Sequence, residues 1–454
     1  MSKFKKIISA LLGVVMCVPM VVSSVSAKNA DYTIKSPYES VVWEGENAWK
    51  ACKGNLHTHS TYSDADVSLP EMVKEYYEQG YDFLTMSEHG ITGRMWNEEQ
   101  TKIPLYQYQK LLGKEVRCLT DDEFNGIISG SYPLYDGTVR GKGMTCVPGG
   151  NEFNYITLTK CHVDGFFLAP GVGDAFYAGE NSHEAAVRYI DEHGGLSHIN
   201  HPGDWLETNS NPDAVNDKDS IKYFGDIIMK YDSCLGIEAL NDRNSTTGYD
   251  RILWDNLLMY TLPYGKTVMG FSNSDAHDLA NVDTSFSVFM MKDNTAENVK
   301  ETMQSGAFFG VTRILRSNDK IGPSASFDVR NQGLSYPMFS NIKVDGHKIT
   351  VKAQNADEIQ WIANGNVIFK SAVGSDEITL DLDKIEGSED FLYVRAELLG
   401  EGGLCLSQAF VIDNGEEKPE WKEDTGFDAF KTKIVRFLKS TLLYVIIQEI
   451  VRMF

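Results

Sequence analysis

The sequence predicts an α/β barrel followed by a small all-β sandwich and a C-terminal amphipathic helix. Three observations carry the prediction. From about residue 50 to 318, short strand-like runs alternate with capped helices, the pattern of an α/β fold. Beyond about 320 the texture changes to short alternating strands separated by turns, the pattern of a sandwich. Nine of the ten histidines fall between His57 and His277, which marks the first region as the one that carries chemistry.

The chain opens with a basic stretch, Lys3, Lys5 and Lys6, followed by the apolar run Ile7 to Val22. Val25-Ser26-Ala27 then offers small residues for cleavage after Ala27, so residues 1–27 read as a signal peptide. The expected location is secreted or cell-surface; an uncleaved anchor is the alternative. Cys17 suggests a lipoprotein, but Met16 before it is too large for that processing site. The formal charge is -22, and losing the three lysines takes it to -25 (-22 minus 3). So acidic a chain lacks the basic footprint that bare nucleic acid requires, which argues against that partner. Nucleotides and sugar phosphates stay open, because bound cations reverse the local field. Past the signal, Cys52, Cys118, Cys146, Cys161, Cys234 and Cys405 are scattered without a CxxC pair. Their even number permits disulfides but predicts no pairing, and buried free thiols are the other reading.

In the first region, taken as residues 28–318, Gly54-Asn55-Leu56 reads as a strand end. Ser68-Leu69-Pro70-Glu71 is a capping box that opens a helix stopping at Gly80. Asp82 to Met86 is the next strand. Ser182 starts a helix that ends at Gly194-Gly195, and Leu196 to Ile199 follows as a strand. Leu235 to Glu238 and Thr267 to Phe271 are further strands. Residues 94–145 form a long insertion carrying Arg94, Lys102, Lys110, Lys114, Arg117, Arg140 and Lys142. It reads either as a substrate-recognising lid or as a surface decoration.

The sandwich, residues 319–415, is predicted from Ile342-Lys343-Val344, Ile349 to Ala353, Ile359 to Ile362, Ile378 to Leu382, Leu392 to Glu397 and Ala409 to Ile412. Residues 416–454 comprise an acidic linker and a helix. Phe427, Phe430, Ile434, Phe437 and Leu438 share one face of that helix, with Lys433, Arg436 and Lys439 opposite. It is too interrupted for a confident membrane span. A cell-envelope or membrane-surface contact is one reading; docking on the protein's own body is the other.

The chemistry begins at His57-Thr58-His59. Alternate residues of a strand point to one face, so both imidazoles reach one centre. A lone HxH is weak, but here an ordered series follows: Asp64, Glu88-His89, Glu152 after Gly149-Gly150-Asn151, His162, His198 and His201 in Ser-His-Ile-Asn-His-Pro-Gly, then Asp275-Ala276-His277. Each stands just after a strand-like run, which in a β/α barrel is the C-terminal rim. Imidazole mixed with carboxylate suits zinc, manganese or iron rather than calcium. A bridging carboxylate lets two cations sit about 4 Å apart, where they lower the pKa of a bound water and neutralise phosphate charge. No Ser or Cys nucleophile, P-loop or dinucleotide-binding motif stands out. His183 and His193, on a helix outside the series, read as surface residues.

The order HxH, Asp, His, Glu, His, His-Pro, DxH resembles the polymerase-and-histidinol-phosphatase (PHP) superfamily over about residues 52 to 318. The resemblance implies a distorted seven-stranded, TIM-like β/α barrel with two or three divalent metal ions at its C-terminal rim. It implies that His57, His59, Glu152 and Asp275 hold a first metal. Glu152 would bridge to a second, completed by His162 and His201, while Asp64, His89 and His277 would hold a third. His201 is taken over His198 because Pro202-Gly203 follows it; His198 then stands behind the ligands. One departure is Ser87-Glu88-His89-Gly90, where the family has Thr-Asp-His-Asn. Glu88 there is a ligand or a hydrogen-bond partner, and the number of metals stays at two or three.

The expected activity is hydrolysis of phosphate esters by metal-bound hydroxide at a di- or trinuclear site. The preferred form is a phosphomonoesterase acting on small phosphorylated substrates outside the cytoplasm. His201, Glu152 and Asp275 would carry catalysis, and Arg243 or Arg313 would contact phosphate. The alternatives are a nuclease or phosphodiesterase on oligonucleotides, and a cell-envelope glycan- or partner-binding protein with a structural metal site.

Overall fold

The computed structural model describes residues 32–426, apart from 157–159, 180–181, 242–244, 317–325, 375 and 425. The expected signal peptide and the C-terminal helix from 427 onward lie outside the described residues.

In chain order the elements are β1 (Thr33–Lys35), β2 (Lys50–Asn55), α1 (Leu69–Glu78), β3 (Phe83–Leu84), α2 (Pro104–Leu111), α3 (Asp121–Ser129), β4 (Thr145–Cys146), β5 (Asn151–Phe153), β6 (Val163–Phe166), α4 (His183–Glu192), β7 (Leu196–Ile199), α5 (Pro202–Trp205), α6 (Lys218–Lys230), β8 (Cys234–Leu240), α7 (Asp250–Thr261), β9 (Met269–Ser272), β10 (Ser285–Met291), α8 (Ala296–Ser305) and β11 (Phe308–Thr312). There follow β12 (Ile314–Arg316), β13 (Ser326–Asp328), β14 (Met338–Asp345), β15 (Lys348–Gln354), β16 (Glu358–Ala363), β17 (Asn366–Ala372), β18 (Ile378–Asp381), β19 (Tyr393–Gly400), β20 (Gly403–Leu406) and β21 (Phe410–Asp413). The fold is mixed α/β with several sheets, and its C-terminal part is rich in strands.

One sheet carries β2, β3 and β4 in parallel, with β10 antiparallel on the other edge of β2. A second runs β5-β6-β7-β8-β9, antiparallel up to β7 and parallel from there on. Two isolated parallel bridges tie the strand ends together: Thr58 with Ala276, and His89 with Glu152. Both bridges contain or adjoin residues of the metal-ligand series, so backbone pairing sets the spacing of that series.

Local chemistry explains these elements. At α1, the Glu71 carboxylate accepts the Ser68 N–H at 3.2 Å. Met72, Val73, Tyr76 and Tyr77 face inward at helical spacing. Gly54 lies so close to Phe83 that an added Cβ would sit 2.0 Å from the ring, which makes room for β2 against β3. All seven residues of β10 are buried, so that strand has no exposed face, and after Ser285-Phe286-Ser287 its sequence is a continuous apolar run.

The C-terminal strands do not stand apart. β14-β15-β18 form their own sheet, but β16, β17, β19, β20 and β21 extend the sheet of β2 and β10 through pairing of β20 with β11. N-terminal β1 closes its far edge against β21. A buried charge network spans the same junction. Arg395 on β19 meets Asp255 of α7 at 2.7 Å and Glu397 at 2.6 Å, and Arg251 of α7 reaches Glu397 at 3.3 Å.

Three of the insertion's seven basic side chains, Lys114, Arg140 and Lys142, tie it to the body, and Arg117 pairs within it. Arg140 donates to the carbonyls of Tyr77 and Tyr81, and Lys142 pairs with Asp82 at 2.7 Å. Arg117 pairs with Glu123 and Lys114 with Asp66. Gln109 of α2 donates to the carbonyls of Ser63 and Ala65, which bracket Asp64. All six described cysteines are free thiols.

Candidate metal centre

β2 runs on into His57-Thr58-His59. Alongside it lies the extension of β9, where Asp275 donates its N–H to the His57 carbonyl (3.0 Å) and His59 donates to the Ala276 carbonyl (3.1 Å). The two short segments therefore present alternate residues toward one centre. Asp275 Oδ1 lies 3.2 Å from both His57 Nε2 and His59 Nε2.

Glu152, on β5, is the hub. Its Oε1 lies 3.3 Å from His57 Nε2, 3.0 Å from His162 Nδ1 and 3.4 Å from His201 Nε2. Its Oε2 lies 3.1 Å from His59 Nε2 and 3.0 Å from His89 Nδ1. Asn200 donates to Oε1 at 2.9 Å and fixes the carboxylate from behind. Asp64 gathers the remaining side, 3.5 Å from His89 Nε2 and 3.2 Å from His277 Nε2. The nine expected ligands, His57, His59, Asp64, His89, Glu152, His162, His201, Asp275 and His277, thus form one continuous array. It resolves into overlapping groups whose ligand atoms converge: His57-His59-Asp275, His57-Glu152-His201, His89-Glu152-His162, and His59-Asp64-His89-His277.

The donor set fits divalent cations. His57 Nε2, His59 Nε2, His89 Nδ1 and Asp275 Oδ1 are buried without a hydrogen-bond partner, yet all face the array. Buried polar atoms are rarely left so unless something else satisfies them. The electrostatics agree. Burial opposes ionisation of Glu152, but His89, His162 and His57 hold its carboxylate well below the usual range. Burial likewise opposes the charge on Asp275, and His57, His59 and His277 overcome it. In return, and against its burial, His201 is drawn up to about 10 by Glu152 and Asp275. His89 is the exception, since its burial outweighs Glu152 and Asp64 and lowers it.

Two of the expected ligands sit on strained backbone: His201 at φ 26° and Asp275 at φ 47°. Left-handed conformations are costly for residues other than glycine and persist where the surroundings enforce them.

Glu88 does not face the array. Its carboxylate accepts the Ser60 N–H at 3.0 Å and the hydroxyls of Ser60 and Ser63. His198 is fully buried beside Phe166 and Phe271, and burial lowers it to about 4. Arg313 lies away from the array, paired with Asp283 at 2.9 Å and donating to the carbonyls of Leu334 and Gly402. That network, rather than a phosphate, takes up its guanidinium. Arg243 lies outside the described residues. The expectation for His183 is overturned: it is fully buried, 2.9 Å from Tyr223 Oη and packed against Trp205, whereas His193 is exposed. His183 opens α4 on its inward face, together with Ala186, Val187 and Ile190.

Sequence reasoning passed over two buried carboxylates behind the array. Glu238 of β8 lies 2.9 Å from His57 Nδ1, and Asp164 of β6 lies 3.6 Å from the same atom. Burial raises Asp164 well above the carboxylate range despite the pull of His57. A signal was present: each is the one acid in its run, Val-Asp-Gly-Phe and Cys-Leu-Gly-Ile-Glu-Ala-Leu, and these strands are buried almost throughout, where charge is rare unless partnered.

No family description matches the chain, and no curated protein does. Among the solved structures similar to it are three. A two-domain protein from Bacteroides vulgatus, described as containing a predicted PHP-like metal-dependent phosphoesterase, has 14% identity and a TM-score of 0.40, over 80% of this chain and 96% of that one. The lesion-specific endonuclease EndoQ from Pyrococcus furiosus has 16% identity and a TM-score of 0.32, over 56% of each chain. A protein from Bifidobacterium adolescentis, described as a candidate metal-dependent phosphoesterase, has 11% identity and a TM-score of 0.30, over 57% of this chain and 98% of that one. Likeness at this level establishes neither fold nor activity by itself.

Proposed function

We propose that this chain is a metal-dependent phosphoesterase of the PHP superfamily, acting as a phosphomonoesterase on small phosphorylated compounds outside the cytoplasm. The observation that carries the reading is Glu152, whose two oxygens are shared among five imidazoles within 3.0–3.4 Å. A carboxylate so placed suits bridging of cations. The bridges Thr58–Ala276 and His89–Glu152 support reading β2, β3, β5, β6, β7, β8 and β9 as the distorted seven-stranded barrel. In that reading its C-terminal rim holds the ligands.

His57, His59, Glu152 and Asp275 would hold one ion, Glu152, His162 and His201 a second, and Asp64, His89 and His277 a third, with zinc, manganese or iron as the candidates. Divalent ions there would supply activation of a water and neutralisation of phosphate charge. The chain's own residues do the rest. In hydrolysis the water oxygen would bond to phosphorus as the ester P–O bond breaks, and His201, when its Nε2 holds no ion, would give a proton to the leaving oxygen. Asp275, 3.9 Å from His201 Nε2, takes up the proton that the water releases. The net charge of -22 favours small substrates over oligonucleotides. The expected signal peptide supports export, and the C-terminal amphipathic segment supports contact with a membrane surface.

The test is phosphate release by the mature chain, residues 28–454, supplied with manganese. The panel holds nucleotides, sugar phosphates, an aryl phosphate and a single-stranded oligonucleotide, with Asp275→Asn as control. Monoester hydrolysis that vanishes in the variant is the expected result. Cleavage of the oligonucleotide alone would make the chain a nuclease. Metal binding without any hydrolysis would favour a binding protein.

A further inference from the structure

Glu238 has no role in the ligand series, yet it is fully buried at the end of β8 directly behind it. Its Oε1 lies 2.9 Å from His57 Nδ1 and accepts from Asn273 Nδ2 at 2.9 Å. Its Oε2 accepts the backbone N–H of His201 at 3.0 Å and Asn241 Nδ2 at 2.6 Å. Four donors thus saturate one carboxylate, and two of them belong to residues of the ligand series.

We propose that Glu238 is a positioning residue that sets two metal ligands at once, His57 through its ring and His201 through its backbone. This rests on reading the array as a metal centre. For the ring, the neighbouring carboxylate selects the Nδ1–H tautomer, which turns the lone pair of Nε2 toward Glu152 and Asp275. A hydrogen bond to the non-ligating nitrogen of a metal-bound imidazole orients the ring and raises its basicity. For the backbone, His201 stands at φ 26°, a conformation that must be held by its surroundings. The Glu238–N–H bond anchors that turn just before α5. His57 and His201 converge with Glu152 in one group, so one buried carboxylate fixes the geometry of two of its three members.

Asp164 provides an internal comparison. It lies in the same chamber, 3.6 Å from His57 Nδ1 and 3.9 Å from His198 Nε2, but neither of its oxygens accepts a hydrogen bond. The structure assigns the positioning role to Glu238 and not to Asp164.

Glu238→Gln replaces one oxygen by an NH2 that cannot accept from His57. Cobalt or zinc alone is titrated against a competing chelator into wild type, Glu238→Gln and Asp164→Asn, with circular dichroism of each metal-free protein as the folding control. The expected result is a metal dissociation constant weakened about 10- to 100-fold in Glu238→Gln, the range for outer-shell partners. Its cobalt absorption spectrum should be altered, its metal-free fold intact, and Asp164→Asn should bind as wild type does. Unchanged affinity and spectrum in folded Glu238→Gln would overturn the proposal, as would an equal loss in Asp164→Asn. Should Glu238→Gln not fold, nitrogen-15 spectra of histidine in the zinc-loaded wild type decide. An Nδ1–H tautomer at His57 supports the proposal and an Nε2–H tautomer sinks it. Wild type that binds metal without hydrolysing phosphate would count against the phosphoesterase reading alone, whereas wild type that binds no metal would remove the basis of both.

Discussion

The carboxylate of Glu88 accepts the backbone N–H of Ser60 at 3.0 Å, so the residue just before the expected ligand His89 turns back into the loop that follows His57-Thr58-His59. Ser63, the neighbour of Asp64, donates its hydroxyl to the same carboxylate. Glu88 therefore clamps the turn that carries Asp64.

Removing that clamp should loosen Asp64 relative to His89 and His277 while leaving the Glu152 groups in place. For Glu88→Ala we expect metal affinity at the Asp64 group to fall about 10- to 100-fold. Metal per chain, read by elemental analysis after dialysis against stepped chelator, should drop by the most weakly held ion. Loss of the whole metal complement would show that Glu88 acts on the entire array.

Glu152→Gln removes the one charge shared by five imidazoles. The expected loss in kcat/KM exceeds 100-fold, beyond the range for groups that only support ligands. Steady-state kinetics on the best substrate and metal content of the variant, measured together, check it. Full activity would mean that the array does not work through its central carboxylate.

Stability should depend on pH in opposite ways with and without metal. In the metal-free protein His57 and His59 are raised well above 6.5, and His201 to about 10. A raised pKa gives stability that is complete below the unfolded value of 6.5 and is lost as pH climbs toward 10. Asp275 and Glu152, depressed below 3.8 and 4.5, give stability present above those values and lost as pH falls below them. The metal-free protein should therefore gain most from this cluster between about pH 4.5 and 6.5. Metal must displace the imidazole protons, so its stabilising effect should grow from pH 6 upward. Thermal midpoints measured with metal and with chelator across pH 5 to 9 should diverge as pH rises; parallel curves would contradict the assignment.

Asp255 is paired with Arg395 at 2.7 Å and accepts from Tyr393 Oη, with every partner almost fully buried. Asp255→Ala leaves part of the Arg395 charge uncompensated. The cost is expected near 3 kcal/mol, the low end of the range for a broken buried pair because Glu397 remains as a partner. Because the pair joins α7 to β19, urea unfolding should stay a single transition at a lower midpoint. Two separated transitions would show that the C-terminal strands fold on their own.

The residues that the structure gathers into one array were legible in the sequence, because the order of residue types is itself the signal; their exact places were less so, since Glu152 lies within β5 and His162 just before β6. The helices at Ser68 and Ser182 and most strands could be read from caps, glycines and alternation. β10 could not, since a strand buried on both faces shows no period. His183 was misread because its helix presents it inward beside Ala186, Val187 and Ile190, and a histidine at a helix start carries no mark of burial. Glu238 escaped because one acid near a strand end looks like any solvated carboxylate.

The sequence by itself determined which groups are candidates to carry the chemistry: imidazoles and carboxylates in a fixed order, with pairs spaced so that alternate residues share a face. Only the tertiary structure decided how they meet. The bridges Thr58–Ala276 and His89–Glu152 put strand ends distant in sequence side by side, and they place Glu152 among five imidazoles and Glu238 behind two ligands. Such contacts come from pairing between strands far apart along the chain, and local residue pattern holds no information about which distant strand end will be the neighbour.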